Sequence, residues 1–158
     1  MRPFIMVLTF ALSVLCQTAP DQERFNRSHQ LFREIMVEGS KVVAICELNN
    51  MEISKIDVDL VGRNSPKQVL KVMSTDYRYF ITAKSLPTEI TNLELYVYFM
   101  SKEGTSTFVT KSMVGGNTPV IAFKPEVAGD YMIVVKAAKM ADEHINDMGF
   151  FFLAIAHN

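Results

Sequence analysis

Residues 55–61 read KIDVDLV. Ile56, Val58 and Leu60 alternate with Lys55, Asp57 and Asp59, and that period of two specifies a β-strand with one wet face. The same reading extends along the chain. Runs rich in Val, Ile, Phe, Tyr and Thr at 41–48, 67–73, 77–84, 93–100, 106–114, 119–124, 130–138 and 149–157 are further strands. GRNSP (62–66), STD (74–76), SLPTEITN (85–92), SKEG (101–104), GGNTP (115–119) and KPEVAGD (124–130) supply the turns between them. Many short strands at this spacing predict an all-β fold, mainly an antiparallel β-sandwich or jelly roll. A doubly wound α/β fold needs helices between strands, and these connections are too short for that. The sandwich is expected over 41–158.

One helix precedes it, over residues 17–40. Thr18 is placed to cap it, with Pro20 and Asp21 in its first turn. Phe25, Phe32, Ile35 and Met36 recur at helical spacing, and Gly39 is a natural stop. Such a helix is expected to dock on the sheet. The last strand, GFFFLAIAHN (149–158), is apolar on both faces. It is therefore central, or covered by the helix.

Residues 1–16, MRPFIMVLTFALSVLC, have a basic start and an uncharged apolar run of about a dozen residues. That is the layout of a secretory signal peptide, and it is shorter than the roughly twenty residues that span a bilayer. The chain is expected to be secreted or periplasmic, with no transmembrane segment in the mature form. Lipid anchoring at Cys16 is a second reading, but the large Leu15 before it fits such sites poorly. Cleavage after Cys16 would leave Cys46 without a partner, as a buried thiol. Roughly 140 residues would remain, enough for one domain with its own core. The formal net charge of −1 gives no electrostatic case for nucleic acid.

Four segments share a wider pattern: YRYFITAKS (77–85), LELYVYFMSKEG (93–104), TPVIAFKPEVAGDYMIVVKA (118–137) and GFFFLAIAH (149–157). Together, over about residues 68–158, they resemble the bacterial pre-peptidase C-terminal domain and related small exported sandwich proteins. The shared corner here is Ala128-Gly129-Asp130-Tyr131-Met132-Ile133-Val134. Many relatives carry an Asp-rich element where this chain has Leu93-Glu94-Leu95-Tyr96, so no metal site is implied there. The resemblance implies an accessory or binding module without catalysis of its own.

The candidate sites are few. No G-x-S-x-G occurs, and His29, His144 and His157 are scattered, so no nucleophilic triad or zinc set is legible. The chain is read as non-enzymatic. Tyr77/Tyr79 and Tyr96/Tyr98 are two i, i+2 pairs, each expected to share a sheet face. With Leu95 and Val97 inward, Tyr96, Tyr98 and Met100 point outward and form a candidate binding face for an extracytoplasmic protein or glycan. The rival is a cross-strand packing row that stiffens the sheet. Two acidic sets carry oxygen ligands suited to Ca²⁺: Asp142, Glu143 and Asp147 in a loop, and Asp57 with Asp59 on one strand face. Calcium is thus the only cofactor with candidate ligands, in the alternative role of stabilising an envelope module. Gly115-Gly116-Asn117 reads as a hairpin turn rather than a phosphate cradle, since no helix follows it.

Overall fold

A computed structural model describes residues 4–113, 115–141 and 147–158, with side chains from residue 22 onward. The chain forms two compact units, residues 1–33 and 34–158. Helix α1 spans Phe4–Leu48. Eight strands follow: β1 Glu52–Gly62, β2 Lys67–Met73, β3 Tyr79–Ser85, β4 Ile90–Met100, β5 Ser106–Lys111, β6 Val120–Phe123, β7 Gly129–Met140 and β8 Met148–His157. They make two four-stranded sheets with antiparallel pairings, β1-β8-β3-β6 (sheet A) and β2-β7-β4-β5 (sheet B). The expected all-β sandwich with one N-terminal helix is the fold observed.

The core lies between the sheets. Sheet A contributes Val61, Ile81, Ile121, Phe151, Leu153 and Ile155, and sheet B contributes Val69, Leu93, Leu95, Val97, Ile133 and Val135. Period-two alternation puts these on the inner faces. Only β4–β5 is a hairpin within one sheet; every other connection between the described strands crosses to the opposite sheet. The segment holding Gly115-Gly116-Asn117 is therefore a crossover from β5 to β6 and not the hairpin its composition suggests. It is tied down by Gly116 N–H donating to Asn92 Oδ1 at 2.8 Å and Leu93 N–H donating to the Gly116 carbonyl at 2.8 Å.

The helix departs most from expectation. Thr18 and Pro20 lie inside α1 and not at its start, and residues 41–48 are its last two turns and not a strand. Val42, Val43 and Ile45 have β-forming side chains. Tertiary packing overrides that preference, because Ile35, Gly39, Val42 and Cys46 recur at helical spacing. Ile35, Val42 and Cys46 are buried. Gly39 is a place of close approach: a Cβ there would sit 2.2 Å from the Phe152 ring. The stop comes at Asn50, whose φ of 53° is left-handed. Met51 N–H donates to the Cys46 carbonyl and Asn50 N–H to the Glu47 carbonyl, both at 3.0 Å, the paired bonds of a Schellman cap. Of the four residues expected on the docking stripe, only Ile35 is buried; Phe25, Phe32 and Met36 are exposed.

Strand β8 is both central and covered, which explains its uniform apolarity. Phe151, Leu153 and Ile155 face the core, while Phe152, Ala154 and Ala156 are buried on the outer face of sheet A, on the side of Gly39.

Candidate functional site

The outer face of sheet B is open, and it carries the expected aromatic pair. Leu95 and Val97 are fully buried, so alternation turns Glu94, Tyr96, Tyr98 and Met100 outward, where all four are half-exposed. Antiparallel register then defines rows across the face. Tyr98 lies between Met132 of β7 and Phe108 of β5, and Met132 is itself opposite Leu70 of β2. The Tyr98 and Phe108 rings meet edge to face, with centroids 5.8 Å apart. Met100 lies between Asp130 and Ser106, and Asp130 is opposite Val72. Tyr96 lies between Val134 and Lys111.

Three residues of this face were not singled out from sequence. Leu70 is 63% exposed, Val72 70% and Phe108 52%. The signal for the first two was present in KQVLKVM (67–73), where one alternation is Gln68, Leu70 and Val72, without charge, and the other mixes lysine with Val69 and Met73. The apolar pair Leu70 and Val72 points out, while Lys67 and Lys71 share the inward alternation with Val69 and Met73.

Within the face, Tyr96 is held by chemistry as well as packing. Its hydroxyl donates to Glu94 Oε2 at 2.7 Å. That bond to a carboxylate, followed by burial, pushes the phenol up to about 12. Tyr96 therefore stays neutral and oriented through the neutral pH range.

The other tyrosine pair does not share a face. Tyr79 is buried in the core, where its hydroxyl accepts a hydrogen bond from Ser74 N–H at 3.0 Å. Tyr77 precedes β3 and is exposed, packed against His157 with ring centroids 4.4 Å apart. The period of two holds only inside a strand, and Tyr77 lies outside one. At the Gly129 corner, Tyr131 is buried and its hydroxyl donates to the Val127 carbonyl at 2.8 Å.

The acidic strand face is turned differently from a plain wet face. Asp57 and Asp59 are opposite Leu153 and Phe151 of β8, so they share the inward alternation at the sandwich edge. Asp59 is bonded to Lys67 of β2, and Lys71 donates to the Ser54 carbonyl at 3.3 Å. The Lys67 ammonium and the Leu60 N–H hold the Asp59 carboxyl below its usual range. A cation at Asp59 would have to displace that lysine. Among the described residues no three His, Cys, Asp or Glu side chains converge as a metal set. Of the loop candidates, Asp142 and Glu143 lie outside the described residues, and Asp147 is exposed. Cys46 is a buried free thiol whose burial pushes its pKa up, which suits packing and not reactivity. It lines an apolar cavity of about 230 Å³ with Val42, Phe80 and Val120. Among the described residues, no helix is long and apolar enough to cross a membrane.

No family model matches the chain, and no curated protein sequence matches it. Solved structures do. The periplasmic inhibitor of g-type lysozyme from Aeromonas hydrophila is 9% identical, with a TM-score of 0.48 over 68% of this chain and 88% of that one. The Yersinia pseudotuberculosis-derived mitogen is 6% identical, with a TM-score of 0.49 over 66% and 85%. The pre-peptidase C-terminal domain of the Bacillus anthracis collagenase, of the type the sequence resembles, is 13% identical, with a TM-score of 0.43 over 64% and 87%. At such identities no site residue carries over from any of them.

Proposed function

We propose that this chain is a small, exported, non-catalytic module that acts by binding, and that the outer face of sheet B is its contact surface. One observation carries the reading: Tyr96, Tyr98 and Met100 are continuous with the exposed apolar side chains of Leu70, Val72 and Phe108 on one open sheet face. Contiguous exposed apolar and aromatic surface marks interaction sites on soluble domains. Tyrosines supply flat apolar area with a polar tip, which suits either a sugar ring or a protein surface.

The test is retention of the purified domain on a panel of envelope polysaccharides and on an envelope-protein extract. The Tyr96→Ala/Tyr98→Ala double variant should lose most of any retention while melting close to the parent. Full retention by a folded double variant removes this face as the site. Export is carried by residues 1–16, and N-terminal sequencing of the secreted form tests it. A mature chain beginning at a lipid-modified Cys16 would replace free secretion with anchoring.

A further inference from the structure

The two sheets present four edge strands, and three of them carry inward charge or flanking proline against pairing with another chain. Strand β1 turns Lys55, Asp57 and Asp59 inward at the edge, and β2 turns Lys67 and Lys71 inward opposite them. Inward-pointing charge is a common device for blocking edge pairing. Strand β6 is only four residues long, with Pro119 before it and Pro125 shortly after. Strand β5 has neither inward charge nor flanking proline, and its one interruption is the bulge at Val109. Its sequence, STFVTK (106–111), holds no proline, and its inward residues Thr107 and Thr110, opposite Phe99 and Val97, are uncharged. Among the described residues no strand pairs with its outer side.

Beside this edge lies a cavity of about 400 Å³. It is lined by Phe99, Phe123, Val127 and Tyr131 together with Thr107 and Thr110 of β5. Phe99 and Phe123 each pack on the Tyr131 ring, at centroid distances of 5.4 and 5.9 Å. Lys124 and Glu126 also line it, one cation and one anion. The volume falls in the range of pockets that hold small ligands, roughly 300–1,000 Å³. An unpaired strand edge displays backbone donors and acceptors that an extended polypeptide matches. A cavity on the inward side of that edge is where an added strand would place a side chain.

We infer that β5 receives a short extended peptide of a partner protein as a ninth strand, with one large apolar side chain of that peptide filling the cavity between β5 and β6. This is strand addition, with the backbone supplying affinity and the cavity supplying selectivity. A second copy of this chain fits less well. The inward register residues of its β5, Thr107 and Thr110, are not large apolar side chains. The bulge in the β4–β5 ladder at Val109 also interrupts the edge, which suits a short segment better than a long sheet-to-sheet pairing. The site shares Phe108 with the outer face of sheet B, where that ring packs on Tyr98, but it uses neither Tyr96 nor Tyr98.

The probe is an end-capped hexapeptide, Thr-Phe-Thr-Phe-Thr-Lys, added to the full domain and read by hydrogen exchange at residues 106–111. Exchange there should slow with added peptide. Replacing the phenylalanines by glycine should weaken binding by about tenfold or more, the scale of losing one buried aromatic contact. A fully N-methylated peptide should not bind, because it has no donor for the ladder. Thr107→Lys adds the inward charge that β1 and β2 carry, and should abolish protection while leaving Tm unchanged. If that variant does not fold, the two modified peptides still decide. Absence of protection at 106–111, equal binding of the N-methylated peptide, or protection that grows with protein concentration alone would each overturn the inference.

Discussion

The outer faces of sheets A and B are built from strands of similar composition and end in opposite conditions. On sheet A, Phe152, Ala154 and Ala156 are buried, and α1 approaches closely enough that Gly39 has no room for a Cβ beside Phe152. On sheet B, Leu70, Val72 and Phe108 remain exposed around Tyr96 and Tyr98. The same kind of side chain therefore does two jobs. Under the helix it removes apolar area from water and stabilises the fold. On the open face it gives little stability and leaves a surface free for a partner.

The largest expected effects lie under the helix. Phe152→Ala should cost about 3–5 kcal/mol in urea unfolding, the usual range for emptying a buried aromatic site. Gly39→Ala sharpens the point because two effects oppose each other. Alanine favours the helix interior by up to about 1 kcal/mol. Its Cβ would meet the Phe152 ring at 2.2 Å, and overpacking costs about 1–3 kcal/mol. The clash should win in the parent. In the Phe152→Ala background the sign should reverse, and Gly39→Ala should stabilise. A cycle without that reversal would mean that Gly39 is not there for the ring.

On the open face the same measurement should give small numbers. Leu70→Ser and Val72→Ser should each change stability by no more than about 0.5 kcal/mol, as surface positions do. Tyr98→Ala should cost about 0.5–1.5 kcal/mol, the scale of its cross-strand pairs with Phe108 and Met132. Losses as large as that of Phe152→Ala would make sheet B's outer face a packing surface and weaken its case as a contact surface.

This division explains what was legible in the sequence. The strands were readable because alternation is local: LELYVYF states its inner and outer sets directly, while KIDVDLV separates two sets without saying which one faces the core. The helix end was not, because Val42, Val43 and Ile45 favour a strand and only the 35-39-42-46 spacing, completed by contact with β8, makes them helical. The Tyr96 and Tyr98 direction followed from Leu95 and Val97. Leu70, Val72 and Phe108 join that face only through the register of β2 and β5, which no single strand encodes. The inward turn of Asp57 and Asp59 likewise depends on β1 and β2 meeting at the sandwich edge.

A smaller effect separates Tyr96 from its neighbour. Its raised pKa of about 12 means that the bond to Glu94 contributes stability fully below the unfolded phenol value near 10. That contribution is lost as pH rises through the folded value. Burial also pushes Tyr131 up, so spectrophotometric titration should show two tyrosines ionising late, and Glu94→Ala should return one of them toward the ordinary range. Two late tyrosines in Glu94→Ala would assign the Tyr96 shift to burial instead.

The smallest effect lies at the guarded edge. The Asp59 carboxyl is lowered by Lys67, and the Lys67 ammonium is raised by Asp59. For Asp59 the contribution is present above its unfolded pKa and is lost as pH falls through the lowered folded value. For Lys67 it is present below its unfolded pKa and is lost as pH rises through the raised one. The pair should therefore help across the whole neutral range and fade at both extremes. Both side chains are more than a third exposed, so solvent and salt screen them and the gain at neutral pH should be slight. Asp59→Asn should shift Tm only slightly at pH 7 and not at all well below pH 3. The same substitution should nevertheless matter for association, because it removes one of the charges that keep β1 from pairing with another chain. Sedimentation of the variant at rising concentration measures that separately from Tm. A variant that stays monomeric would show that the remaining Lys55, Asp57, Lys67 and Lys71 are enough to close this side of the sandwich.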